Sequence, residues 1–156
     1  MHKQHQYEID LNWTGNTGEG TKTYRSYQRN HEISAKGRPV IHCSSDPVFR
    51  GDPSRYNPED MLVASISACH LLTYLHLCAD YGVVVEKYID HASGTMEEVG
   101  RGGHFTEVIL RPMVTVADSS MIEKANKLHH EANKFCFIAG SVNFPVRHEP
   151  KCVSLK

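Results

Sequence analysis

The stretch from Asn57 to Gly82, NPEDMLVASISACHLLTYLHLCADYG, constrains the fold more than any other part of the chain. Both of its ends carry helix signals. Asn57 suits the N-cap and Pro58 the first helical position, Glu59 and Asp60 complement the positive end of the helix dipole, and Gly82 suits the residue just past the last turn. Between them Met61, Leu62, Val63, Ala64, Ile66, Ala68, Leu71, Leu72, Leu75 and Leu77 surround the axis. A helix lying on a surface keeps a polar face, so this pattern predicts a central helix covered on most sides. Ser65, Ser67, Thr73 and His76 interrupt it, unlike the unbroken run of about 18 to 20 apolar residues expected of a membrane span.

The flanking sequence reads as strands. Gln4 to Trp13 and Thr21 to Ile33 alternate aromatic and polar residues around Gly15, Gly18 and Gly20, which predicts an antiparallel hairpin. Val40 to Cys43 is a third strand. The loop SSDPVFRGDPSRY then delivers Arg50 and Arg55 to the N-terminal side of the helix; its Arg50-Gly51-Asp52 triplet, though it matches a cell-adhesion tripeptide, is given no weight. After the helix, Val83 to Met96 and Phe105 to Val116 predict a long hairpin around a glycine-rich turn. Asp118 or Ser119 caps a second, amphipathic helix reaching about Asn133. Phe144 to Glu149 and Val153 to Leu155 close the chain as strand. This order implies an α+β fold with mainly antiparallel pairing, and 156 residues suit one domain, 1–156.

Composition narrows the function classes. A formal charge of −1 with both signs mixed predicts neither a nucleic-acid partner nor a membrane surface as partner. The N-terminal MHKQHQYEID has no apolar core of a secretory signal, so the expected compartment is the cytoplasm. Five cysteines, Cys43, Cys69, Cys78, Cys136 and Cys152, form no close pair, and an odd count argues against a disulfide framework. Eleven histidines raise the question of zinc. Yet His70 and His76 are turned about 240° apart on a helix, and no His or Cys pair has metal-ligand spacing, so no metal or other cofactor is expected. His129 and His130 read instead as complements to the negative end of the second helix.

Cys69 lies about 18 Å along the helix from the N-cap, beyond reach of the dipole. On residue type alone a cysteine in such apolar company is inert packing; reactivity requires a cation brought from elsewhere. Both readings stand open at this point. Successive helical positions point about 100° apart, so an arginine from a loop or strand is a better cation than His70.

The string NPEDMLVASISACH resembles the signature helix of the OsmC/Ohr family of thiol-dependent peroxidases, in which the peroxidatic cysteine lies ten residues after the glutamate of NPE, as Cys69 does after Glu59. Cys136 in KFCFIAGSV is similar in position to the family's resolving cysteine, with Phe137 where a proline is usual, and the 67-residue interval between the two fits. The resemblance implies antiparallel sheets wrapped around a long central helix in an intertwined homodimer. It also implies reduction of organic hydroperoxides to alcohols through a Cys69 sulfenic acid and a Cys69-Cys136 disulfide, in defence against oxidative stress. No cofactor is implied. The disulfide is reset by an external dithiol, a dihydrolipoyl group on a carrier protein in relatives. Glu59 resembles the family's carboxylate, which orients an arginine; Arg50 is the first choice for that arginine and Arg29 the second.

Helix geometry bears on this assignment. Glu59 and Cys69 are about 15 Å apart along one axis, too far for the glutamate to serve that cysteine's arginine directly. Two antiparallel copies of the helix would bring the N-terminus of one beside the middle of the other. The alternative function is a non-catalytic OsmC-like module that binds a hydrophobic small molecule or senses oxidation.

Overall fold

The structure is a computed structural model and describes residues 2–156. The chain forms two compact units, the first ending at Met61 and the second spanning Leu62–Lys156.

In the first unit, β1 (Asp10–Trp13), β2 (His31–Ser34) and β3 (Ile41–Cys43) form an antiparallel sheet in that order. The predicted hairpin exists, but its arms are short, because the chain between them folds on its own side chains. Asn16 Oδ1 accepts the N–H groups of Gly18 and Gly20 at 2.9 and 3.0 Å. Tyr24 and Tyr27, read as strand residues, instead hold Arg29, whose guanidinium lies 4.2 Å from each ring and donates to both of their carbonyls at 2.7 Å. In the loop before the long helix, Asp46 caps a 3-10 turn over Pro47–Phe49, and Arg50 leaves it in the left-handed region at φ 66. A Cβ on Gly51 would sit 1.6 Å from the Ser45 carbonyl oxygen. Gly51 of the Arg50-Gly51-Asp52 triplet thus has a backbone explanation.

The long helix α1 spans Pro58–Asp80. Asn57 Oδ1 accepts the Asp60 N–H at 2.7 Å, as an N-cap should. At the other end Gly82 has φ 70, Val83 N–H reaches the Cys78 carbonyl at 2.8 Å and Gly82 N–H the Ala79 carbonyl at 3.4 Å, the paired bonds of a Schellman end.

Each long strand expected after α1 is two strands. β4 (Val85–Asp90) and β5 (Ser93–Val99) pair with β7 (Pro112–Val116) and β6 (Gly102–Leu110) respectively, in separate sheets. The break is built by Asp90, which accepts the Arg111 N–H at 2.7 Å and, with its other oxygen, the hydroxyl of Ser67 on α1. A 3-10 turn capped by Asp118 leads into α2 (Ile122–Phe135). The closing segment is likewise divided: β8 (Val146–His148) runs parallel to β6, and β9 (Lys151–Ser154) parallel to β7. Pro150, with no N–H for a ladder, separates them. The sheets are β4-β7-β9 and β5-β6-β8.

Within the second unit α1 buries one stripe at i, i+4 spacing: Ile66, His70, Tyr74 and Cys78. Ile66 packs with Val108 and Leu110 of β6, whereas Tyr74 and Cys78 pack with Val114 and Val116 of β7 and with Ala125, Leu128 and Ala132 of α2. The expectation of cover on most sides is therefore not met in one chain. Leu72 is 67% exposed and Leu75 37%. Among the described residues α1 is the one helix long and apolar enough to cross a membrane by length and composition. In this fold its inward stripe is instead tied to α2 by polar contacts.

Those contacts correct the reading of His129. It is fully buried, and its Nδ1 lies 3.0 Å from Nε2 of buried His70, while its ring stacks on Tyr74 at 3.9 Å. Tyr74 Oη donates to the Ala125 carbonyl at 3.1 Å. Among the described residues His70 Nδ1 and His129 Nε2 have no partner, a cost of about 1–3 kcal/mol for each buried group. Burial is the first cause that holds both imidazoles neutral, lowering His70 to about 4 and His129 to about 3; nearby histidines add to it.

Both rings are neutral when folded and take up protons below about pH 6.5 when unfolded. Stability from this pair is complete above that pH and lost as pH falls toward 4 and 3. Urea unfolding should show a decline of roughly 2–4 kcal/mol between pH 7 and 5, reduced in His129→Phe. A wild-type stability that is flat over this interval would contradict the neutral buried pair.

Candidate active site

On α1 the residues that share the face of Cys69 follow from helical spacing: Ser65 one turn before it, Leu72 and Thr73 one turn after it and His76 two turns after it, with Ala68 at the edge of that face. Together with Phe135 and Phe137 they line a groove of about 560 Å³. Its walls are mainly apolar, and Phe137 is 81% exposed. Thr73 donates its hydroxyl to the Cys69 carbonyl at 2.9 Å, and His76 pairs with Asp80 at 3.3 Å. The half-buried Cys69 opens onto this groove.

Cys136 comes from the other helix. It is the C-cap of α2, where ψ of 112 ends the helical path, and it is only 2% exposed. The turn that follows fixes it: Gly140 N–H reaches the Cys136 carbonyl at 3.0 Å, Ser141 Oγ donates to the Phe137 carbonyl at 2.6 Å, and Ala139 N–H points at the Cys136 sulfur at 3.5 Å. Burial first, and then the neighbouring Cys69 thiol, raise the Cys136 thiol above its ordinary range. The two cysteines are thus neighbours, Cys69 facing the groove and Cys136 buried. An oxidised sulfur at the first can be met by a thiol at the second.

The remaining cysteines are set apart by burial. Cys43 and Cys78 are buried and Cys152 half-buried, and desolvation raises all three thiols. Cys78 packs in the core between α1, β7 and α2, as its position predicts. Among the described residues no group of three His, Cys, Asp or Glu is placed to hold a metal ion.

Glu59, Arg29 and Arg50 belong to the first unit. Glu59 is half-buried in the first turn of α1, Arg50 is exposed at the end of its 3-10 turn, and Arg29 is held by Tyr24 and Tyr27. The sequence reading does not single out Leu72, Thr73 and His76 as groove residues. Their +3, +4 and +7 spacing from Cys69 is the signal that finds them. It also missed the His70–His129 contact, for which residues 59 positions apart give no local signal.

The family described as OsmC-like protein matches residues 51–151 of this chain. An OsmC-like protein of unknown function from Vibrio cholerae has 30% sequence identity and a TM-score of 0.84, the match covering 95% of this chain and all 100% of the other. An organic hydroperoxide resistance protein from Elizabethkingia anophelis, with thiocyanate bound, has 17% identity and a TM-score of 0.68, covering 97% and 99%. An organic hydroperoxide resistance protein from Legionella pneumophila has 16% identity and a TM-score of 0.67, covering 97% and 100%. At these last two identities the likeness is one of fold. No functionally curated protein matches the chain. A family match through α1, α2 and the strands between them, with a relative alike in fold along its whole length, makes this chain a member of the OsmC-like family.

Proposed function

We propose that this protein is a thiol-dependent peroxidase that reduces organic hydroperoxides to alcohols. The observation that carries this reading is a groove-facing Cys69 with the buried Cys136 directly beside it, on the helix signature of a family whose structural neighbours include proteins named for organic hydroperoxide resistance. The Cys69 thiolate attacks the outer peroxide oxygen, the O–O bond breaks, and the alkoxide leaves and takes a proton as ROH. Cys69 is then a sulfenic acid. The Cys136 thiol condenses with it, forming the S–S bond and releasing water. An external dithiol, of the dihydrolipoyl kind used by relatives, takes up the disulfide by exchange and restores both thiols. The apolar walls supplied by Leu72, Phe135 and Phe137 suit the organic tail of the substrate.

Cys69 needs a cation to hold its thiolate. We assign this role to Arg50, exposed at the tip of its turn, with Arg29 second because Tyr24 and Tyr27 already engage its guanidinium. Glu59 orients the arginine. Ten residues of α1, about 15 Å, separate Glu59 from Cys69, so the glutamate of one copy serves the cysteine of another. The exposed Leu72 and Leu75 give two such helices an apolar face to share in a homodimer. The whole chain, 1–156, then works as one OsmC-like domain.

Stopped-flow consumption of one equivalent of cumene hydroperoxide tests the chemistry. Wild type should consume it rapidly and end as a disulfide, Cys69→Ser at least 1000-fold more slowly, and Cys136→Ser about as fast as wild type but ending as a trapped Cys69 sulfenic acid. Consumption insensitive to Cys69→Ser would move the assignment to the ligand-binding alternative. Leu72→Glu tests the assembly: sedimentation should show monomers, and peroxide consumption should fall at least tenfold. A monomeric wild type with full activity would sink the shared site.

A further inference from the structure

The reaction proposed above leaves unused a buried polar contact between the two helices that carry its thiols. His70 directly follows Cys69 on α1. His129 lies seven residues before Cys136 on α2, two turns back on the same face. Their rings meet edge to edge, Nε2 to Nδ1 at 3.0 Å and within 8° of coplanar. Stacking on Tyr74, within 7° of parallel, fixes the plane of the His129 ring. Around the pair stand His148 of β8, which faces both rings, Asp90 of β4, which acts on His70, and His130, which faces His148.

This contact is poor packing. In a neutral pair one ring donates and the other accepts, so whichever tautomer forms, one N–H and one lone pair are left buried without a partner at His70 Nδ1 and His129 Nε2. Two apolar side chains would fill the space without that cost. They would also allow the helices to slide and turn, whereas a hydrogen bond between two rigid rings admits one height and one rotation of α2 on α1. Cys136, at the end of α2, inherits that height and rotation.

We propose that the His70–His129 hydrogen bond is a positioning contact that sets the approach of Cys136 to Cys69 and thereby the rate of disulfide formation. This rests on the two-cysteine reading above. The contact acts on the second step, RSOH + R′SH → RSSR′ + H2O, and leaves the attack of Cys69 on peroxide alone. His129 touches neither substrate nor sulfur in this account; it acts through α2.

The test separates the two steps in His129→Phe, His129→Gln and His129→Asn. Phenylalanine keeps a ring for Tyr74 but has no hydrogen bond, glutamine carries its amide one methylene too far, and asparagine places an amide where Nδ1 stands. Peroxide loss should stay within about twofold of wild type in all three. Disulfide formation, followed by loss of Cys136 alkylation, should slow at least tenfold in the Phe and Gln variants, with trapped Cys69 sulfenic acid accumulating, and should recover to within about threefold in Asn. Thermal unfolding of each variant confirms that it is folded; if Phe is not, Gln against Asn gives the same comparison. Disulfide formation as fast in Phe or Gln as in wild type, or equally slow in Gln and Asn, would overturn the proposal. Diamide, which takes two electrons and two protons from a thiol pair to become a hydrazine, repeats the comparison without peroxide. The same ranking with diamide in a protein that ignores peroxide would keep the positioning contact while refuting the peroxidase.

Discussion

The packing of one stripe of α1, Ile66, His70, Tyr74 and Cys78, holds the second unit together, and the rest of that unit depends on it. Ile66 anchors the sheet containing β6, while Tyr74 and Cys78 anchor the sheet containing β7 together with α2. Cys69 and Leu72 sit off this stripe, so the burial that fixes the helix also determines which side chains face out. A cysteine one position away, at 70, would lie in the core. The same packing sets α2 so that its C-cap, Cys136, comes beside Cys69.

The two thiols are therefore unlike for structural reasons. Cys69 opens onto an apolar groove, whereas Cys136 is enclosed at the negative end of α2 by a short turn, and its thiol is raised by desolvation. Such an arrangement leaves one sulfur open to a groove-bound molecule and keeps the other buried as the thiol, which is what the proposed chemistry needs. Among the described residues no lysine or arginine lines the groove, and His76 is engaged by Asp80. An arginine of the first unit and a second copy of the chain are therefore part of the proposal.

Much of this was legible in the residues because the deciding signals are local. The caps of α1, Asn57 and Gly82, act within a few residues, and both ends of the helix fall where they place them. The α+β order and the family resemblance of NPEDMLVASISACH are equally local in origin. What could not be read depends on distant partners. The division of each long strand into two turns on Asp90, which joins Arg111 and Ser67, and the parallel entry of β8 and β9 depends on strands more than 30 residues away. His129 looked like a residue complementing a helix end; its burial is decided by His70 and Tyr74 on another helix. Tyr24 and Tyr27 alternated as strand residues do, yet the arginine they enclose outweighs that pattern. The apolar circumference of α1 was legible, but how much of it one chain covers was not.

Peptide mapping of the fully reduced protein after one equivalent of cumene hydroperoxide is decisive, since five cysteines could pair in ten ways and the proposed chemistry uses one. It predicts a single new linkage, Cys69 to Cys136, with Cys43, Cys78 and Cys152 still free. Linkages spread over the other cysteines, or all five thiols left free while Cys69 remains unoxidised, would contradict it.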